Sequence, residues 1–205
     1  TYWGMAVHNS ATSMAVPAVT LTFNEGAVSG LSSKLPKGGG LEVVLYQKAG
    51  IKNGDMASNP WLQELPDPIS KVTWDNYITM NPTTMEKEGY VRTFDQENGL
   101  NMATVKVGNE AVTLPVYPSP GQALGTVGIA LGYGRGAGNE EIGNAAYRTL
   151  QYGGFELDEK GKRIPIGANV FSFIGWADNS YTTDVTGSLS KAEGIFPIAA
   201  TQIHH

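Results

Sequence analysis

The sequence predicts a mostly-β domain, a barrel or a sandwich, and three observations carry the prediction. Short segments of β-rich or alternating apolar and polar residues recur along the chain at fairly regular spacing. Gly and Pro, 26 and 11 residues, fill nearly a fifth of the 205 positions, against about 12% in ordinary proteins, and no period explains the excess. Helical periodicity is thin by comparison.

Taken in order, residues 18–23 (Ala-Val-Thr-Leu-Thr-Phe) alternate with the period of a half-buried strand. Residues 29–40 hold Pro36 and Gly38-Gly39-Gly40 and read as an exposed loop before a β-rich run at 41–46. Pro60 opens a single helical turn, 60–63, with Asn59 placed to cap it. Residues 102–107 and 111–116 flank Gly108-Asn109-Glu110, the signature of a hairpin with a short turn. Further strands are expected at 126–131, 169–174, 184–189 and 195–201, each bounded by Gly, Pro or Asn. A short helix, interrupted by Gly143, is expected within 140–151. With no internal repeat and no sharp shift of composition, residues 1–205 read as one domain.

Composition narrows the function. Charged residues are only 16% of the chain and the net charge is −5, so nothing global attracts a polyanion and nucleic acid is not an expected partner. The absence of Cys removes disulfides, thiol nucleophiles, iron–sulfur clusters and Cys-type zinc sites from this stretch. No run approaches the ~18 apolar residues of a membrane span. The chain opens at Thr1 without Met or a signal-type apolar region, the expectation for a piece of a longer polypeptide.

Several motifs fail on spacing. Gly132-Tyr133-Gly134-Arg135-Gly136-Ala137-Gly138 looks like a phosphate loop, but the third glycine of GxGxxG falls on Ala137, and no GxxxxGK[ST] occurs. It reads either as a glycine-rich loop at a strand end or as a place where Gly134 and Gly136 admit an anion to the backbone while Arg135 supplies a fork of donors. His8, His204 and His205 are the only histidines and lack ligand spacing, so no metal site is expected. No GxSxG elbow supports a hydrolase triad. Glu140-Glu141 and Asp158-Glu159 read as solvated faces or turn charges.

The most informative stretch is 59–77, Asn-Pro-Trp-Leu-Gln-Glu-Leu-Pro-Asp-Pro-Ile-Ser-Lys-Val-Thr-Trp-Asp-Asn-Tyr. Three prolines confine its φ angles. Trp61 and Trp74 are each able to bury about 150–250 Å². Both read first as anchors pinning an irregular loop to the core, and alternatively as contacts to a ligand or partner.

Within this stretch, residues 59–68 together with Lys71-Val72-Thr73-Trp74 resemble a segment of the complex-iron-sulfur molybdopterin oxidoreductases. Gly128-Ile129-Ala130-Leu131-Gly132-Tyr133-Gly134-Arg135 and Ala199-Ala200-Thr201-Gln202-Ile203-His204-His205 resemble two further segments of that family in the same order. The matches span 59–205, and residues 1–58 match nothing. Within the family the similarity is to the large iron–sulfur subunits of alternative complex III, a quinol:electron acceptor oxidoreductase, in their molybdopterin-oxidoreductase-like half. The resemblance implies a double-psi β-barrel of the kind that cradles molybdopterin guanine dinucleotide in active molybdoenzymes, and a half that has lost this cofactor in the complex III relatives.

It implies further that this fragment carries no catalytic residues and no cofactor, that iron–sulfur clusters lie elsewhere in the parent chain, and that the partners are other domains of the same polypeptide, quinol-interacting membrane subunits and cytochrome c subunits. The place would be the periplasmic face of the bacterial inner membrane. The expected role is a scaffold for electron transfer. The rival is an active molybdoenzyme domain with the dinucleotide on Gly132, Gly134, Arg135 and Gly136, and a third reading is an unrelated extracellular β binding module. One departure bears on the choice: residues 136–167 are longer and more charged than the family's loop. That loop is expected to fill the groove a cofactor would need.

Overall fold

The computed structural model describes residues 1–10, 17–34, 39–95, 98–137, 142–177 and 179–201, with side chains omitted at 31–34 and 177. The chain divides into two compact units, Thr1–Gly38 and Gly39–His205.

In the first unit, helix α1 (Tyr2–Asn9) starts at Thr1, whose hydroxyl accepts from the Gly4 amide, and stops at Ser10 in the left-handed region. Helix α2 (Glu25–Lys34) follows, with the Asn24 side chain accepting from the Ala27 amide. Neither helix was legible in the sequence, and α2 replaces the first part of the loop expected at 29–40, whose residues 35–38 lie outside the described ones. Residues 18–23 form no strand. Alternation makes a strand only where a neighbouring strand takes up the backbone hydrogen bonds, and here Val19, Leu21 and Phe23 stand exposed with no such partner among the described residues.

The second unit is built on a closed six-stranded barrel of β1 (Leu41–Tyr46), β2 (Ile78–Met80), β3 (Leu100–Val107), β4 (Glu110–Pro118), β5 (Thr126–Ala130) and β8 (Asp184–Phe196), in the order β1-β5-β2-β4-β3-β8. Two pairs are parallel, β1 with β5 and β2 with β4, and the rest are antiparallel. A separate hairpin joins β6 (Gly175–Ala177) and β7 (Ser180–Thr182). With helix at 17% of the chain, about half the globular average, the mostly-β expectation and the closed barrel stand.

Period-2 side chains fill the barrel: Val43 and Leu45 from β1, Ile78 and Met80 from β2, Ala103 and Val105 from β3, Leu114 and Val116 from β4, Val127 and Ile129 from β5. The expected hairpin is β3–β4, with Val107 opposite Glu110 and the left-handed φ at Gly108, as a tight two-residue turn requires. Helix α4 (Pro82–Lys87), capped by Asn81, plugs Met85 into the same core.

Three further expectations are corrected. Residues 169–174 form a 3-10 turn, Phe171–Phe173, because the Asn169 side chain accepts from the Phe171 amide and turns the chain. Within 140–151 only a 3-10 turn, Asn144–Ala146, is found among the described residues, and Tyr147 leaves it to bridge Pro165. The strand expected at 184–189 and the start of the one at 195–201 are a single strand, β8, which carries a left-handed Gly194 within it and ends at Phe196.

Candidate functional site

The 59–77 stretch is ordered by two side-chain caps. Asn59 accepts from the amides of Trp61 and Leu62 at 3.0 and 3.3 Å and starts helix α3 (Pro60–Glu64), the turn expected from the sequence. Asp67, between Pro66 and Pro68, accepts from the amides of Ile69 and Ser70 at 3.0 and 2.8 Å and from the Ser70 hydroxyl at 3.1 Å. The Ser70 hydroxyl also meets the Tyr77 hydroxyl, and the Tyr117 hydroxyl donates to the Ser70 carbonyl at 2.6 Å. The loop is thereby tied to β4.

The two tryptophans behave differently. Trp74 is half-buried against Ile51, Ala130, Tyr133 and Ile166, and its backbone is held left-handed at φ 66 while its amide donates to the Gln63 carbonyl. Such a φ is a genuine outlier for a bulky residue. Trp61 is 82% exposed and anchors nothing. Asn59 fixes the start of α3 so that Gln63 turns inward and Trp61, two residues before it, outward.

Behind Trp74 lies a buried polar cluster. Lys48, 6% exposed, donates from Nζ to the Asp75 carbonyl at 2.9 Å and sits over the rings of Tyr77 and Tyr133, 4.1 and 5.1 Å from their centroids. Burial lowers its ammonium to about 8, opposed by the charges of Asp67 and Asp75. Burial raises Asp75 to about 6, opposed by Arg148, Lys48 and the amide of Gly167. Burial also raises the phenols, Tyr46 to about 12 and Tyr77 and Tyr133 well above the ordinary range. Asn76, fully buried, donates to the carbonyls of Ala130 and Ala168 at 3.0 and 2.9 Å and accepts from the Ala168 amide at 2.9 Å.

The glycine segment follows β5. Gly132, Gly134 and Gly136 all have left-handed φ, and the side each leaves bare is covered by this chain's own atoms. A Cβ on Gly132 would strike the backbone of Lys52 and Gly54, one on Gly134 the backbone of Ala168 and Asn169, and one on Gly136 the phenol of Tyr147. Arg135 lays its stem near Gly54. These glycines admit neighbouring segments of the protein to close contact.

The three stretches that carry the family resemblance meet one another. Leu62 and Trp74 of the first pack against the cluster that holds Ala130 and Tyr133 of the second, while the Thr73 amide donates to the Ala199 carbonyl and the Thr201 amide to the Lys71 carbonyl, both at 2.9 Å. Val72 bridges Ala200. Gln202 to His205 lie outside the described residues, as do Glu140 and Glu141. Asp158 accepts from the amides of Lys160 and Lys162 and shapes an exposed turn with Glu159.

Two cavities flank this region. One of about 320 Å³ is lined by Tyr46, Asp67, Ser70, Tyr77 and Tyr117, and one of about 550 Å³ by Trp74, Asp75, Tyr147, Arg148, Glu156 and Phe196 among others. Lys48, Asn76 and Arg148 carry no sequence signal, since a lone Lys, Asn or Arg gains its role only from contacts across the fold. Among the described residues no group of three or more His, Cys, Asp or Glu is placed to hold a metal, and no helix is long and apolar enough to cross a membrane. Compared with protein-family models and with curated proteins, the sequence has no match.

Proposed function

We propose that the second unit is a barrel of the double-psi type from the molybdopterin-oxidoreductase-like half of the large iron–sulfur subunit of a respiratory quinol oxidoreductase, and that it is a scaffold for electron transfer with no chemistry of its own. The observation that carries the scaffold reading is the packing at Gly132, Gly134 and Gly136. Glycines in a phosphate loop leave room for the ligand to approach the backbone, and here the chain's own backbone and Tyr147 lie against the side each glycine leaves bare. This packing supports a barrel without molybdopterin guanine dinucleotide at this segment. Tyr147 comes from the long, charged 136–167 loop, the part of the sequence that departs from the family pattern.

Two further observations support the assignment. The three resembling stretches pack against one another, as they would in a shared structural unit. The barrel interleaves two parallel strand pairs, β1 with β5 and β2 with β4, and closure leaves no free edge. Such a closed frame suits the task of holding neighbouring electron carriers at fixed separation. The partners in this reading are the other domains of the same polypeptide, cytochrome c subunits and quinol-interacting membrane subunits on the periplasmic face.

The test has two arms. Affinity isolation of the protein from solubilised native membranes should bring down haem-containing subunits with quinol oxidation activity, and isolation free of both would defeat the assignment. Titration of the chain with guanosine diphosphate should give no binding, whereas micromolar binding abolished by Arg135→Ala would replace the scaffold with a cofactor-binding domain.

A further inference from the structure

The cavity of about 550 Å³ beside the 142–167 segment has no part in the scaffold reading and does not depend on it. Its volume falls in the ~300–1,000 Å³ range of small-ligand pockets. Trp74, Tyr147 and Phe196 supply aromatic walls. Charges of both signs line the same space, the guanidinium of Arg148 and the carboxyls of Asp75 and Glu156.

Arg148 is positioned but unspent. Its guanidinium carbon lies 4.9 Å from the Phe196 ring centroid, a cation–π contact that holds the charge at the cavity wall. Its charge acts on Asp75, yet its side-chain nitrogens make no hydrogen bond or ion pair to a described residue. The Glu156 amide donates to the Arg148 carbonyl at 3.1 Å, so the two opposite charges issue from facing backbone positions. Trp74, which forms part of the wall, keeps the left-handed φ of 66, and strain of this kind gathers at ligand clamps.

The charge pattern selects the ligand. A purely anionic ligand drawn to Arg148 would meet two carboxyls, and a purely cationic one drawn to the carboxyls would meet the guanidinium. A molecule carrying both charges at the ends of an apolar body satisfies each with its opposite. We propose that this cavity binds a zwitterion of dipeptide size with apolar side chains, its carboxylate on the Arg148 fork and its ammonium toward Glu156 and Asp75.

Calorimetric titration of the 205-residue chain with leucyl-phenylalanine, its N-acetyl derivative and its C-terminal amide tests the assignment, because the apolar body is nearly constant and one charge is removed at a time. The free dipeptide should bind, and each blocked form should bind at least about tenfold more weakly. Arg148→Met should weaken the free dipeptide about tenfold and erase its advantage over the amide, while Glu156→Gln should erase its advantage over the acetylated form. If Arg148→Met fails to fold, Glu156→Gln with the three ligands still decides. No binding of the free dipeptide at millimolar concentration overturns the proposal. So does an acetylated form that binds as tightly as the free one, which would make the cavity an anion site.

Discussion

Lys48 Nζ donates to the main-chain carbonyl of Asp75 at 2.9 Å, so a buried ammonium is tied to the residue that follows the left-handed Trp74. Both side chains lose solvation there, and their titrations are displaced in opposite directions. Lys48 is lowered from 10.5 to about 8, so its contribution to stability is complete above the unfolded value and is lost as pH falls through about 8. Asp75 is raised from 3.8 to about 6, so its contribution is complete below 3.8 and is lost as pH rises through about 6. The pair therefore weakens the fold most between about 6 and 8, where both are charged. Urea unfolding from pH 5 to 9.5 should show that Lys48→Met removes the alkaline rise in stability and Asp75→Asn the acid one. Variants that track the parent at every pH would refute the account.

Asn76 satisfies three backbone groups of two distant segments from inside the core. Asn76→Ala leaves them unpaired and should cost at least about 3 kcal/mol, since each orphaned buried group costs ~1–3. A loss below about 1 kcal/mol by chemical denaturation would show that the segments are held by other means.

The glycine segment makes a prediction about stability. Gly134→Ala and Gly136→Ala should each cost about 2–3 kcal/mol, from overpacking added to the left-handed backbone. Gly153 has a similar φ, 94, with open space around it, so Gly153→Ala should cost only the backbone part, ~1 kcal/mol. Equal losses at the three positions would mean that the close contacts contribute nothing.

For the tryptophans, Trp61→Ala should change stability by less than about 0.5 kcal/mol, as expected of an exposed side chain. At Trp74 the backbone makes the comparison informative. Trp74→Gly should be less destabilising than Trp74→Ala by ~1 kcal/mol, because only glycine adopts the left-handed region at no cost. The reverse order, measured by urea midpoints, would remove the case for strain at this position.

The parts of the fold legible in the sequence are those decided by neighbours in the chain. Asn59 and Pro60 announce α3, Gly108 announces the β3–β4 turn, and the apolar runs at 41–46 and 126–131 become β1 and β5. Strand β2 is three residues long and exists only because β4 and β5 lie on either side of it. The alternation at 18–23 predicts a strand for the complementary reason, since sequence pattern does not reveal whether a partner is present. At the candidate site, the irregular loop within 59–77 was readable from its prolines, and one of its two tryptophans, Trp74, packs inward as expected. Lys48 over Tyr77, and Arg148 on Phe196, join residues 29 and 48 positions apart and leave no local trace.

Strand β8 pairs with β1 along one side and with β3 along the other. In a ribosome-bound chain both of those edges emerge well before residues 184–196 do. Until then the growing polypeptide displays two unpaired strand margins, flanked by Val43, Leu45 and Val105 that have nothing to close over them. Such margins recruit one another, so the yield of this domain in a cell should depend on how quickly translation passes β8, and a pause just upstream of Asp184 should send the product to chaperones or into aggregates.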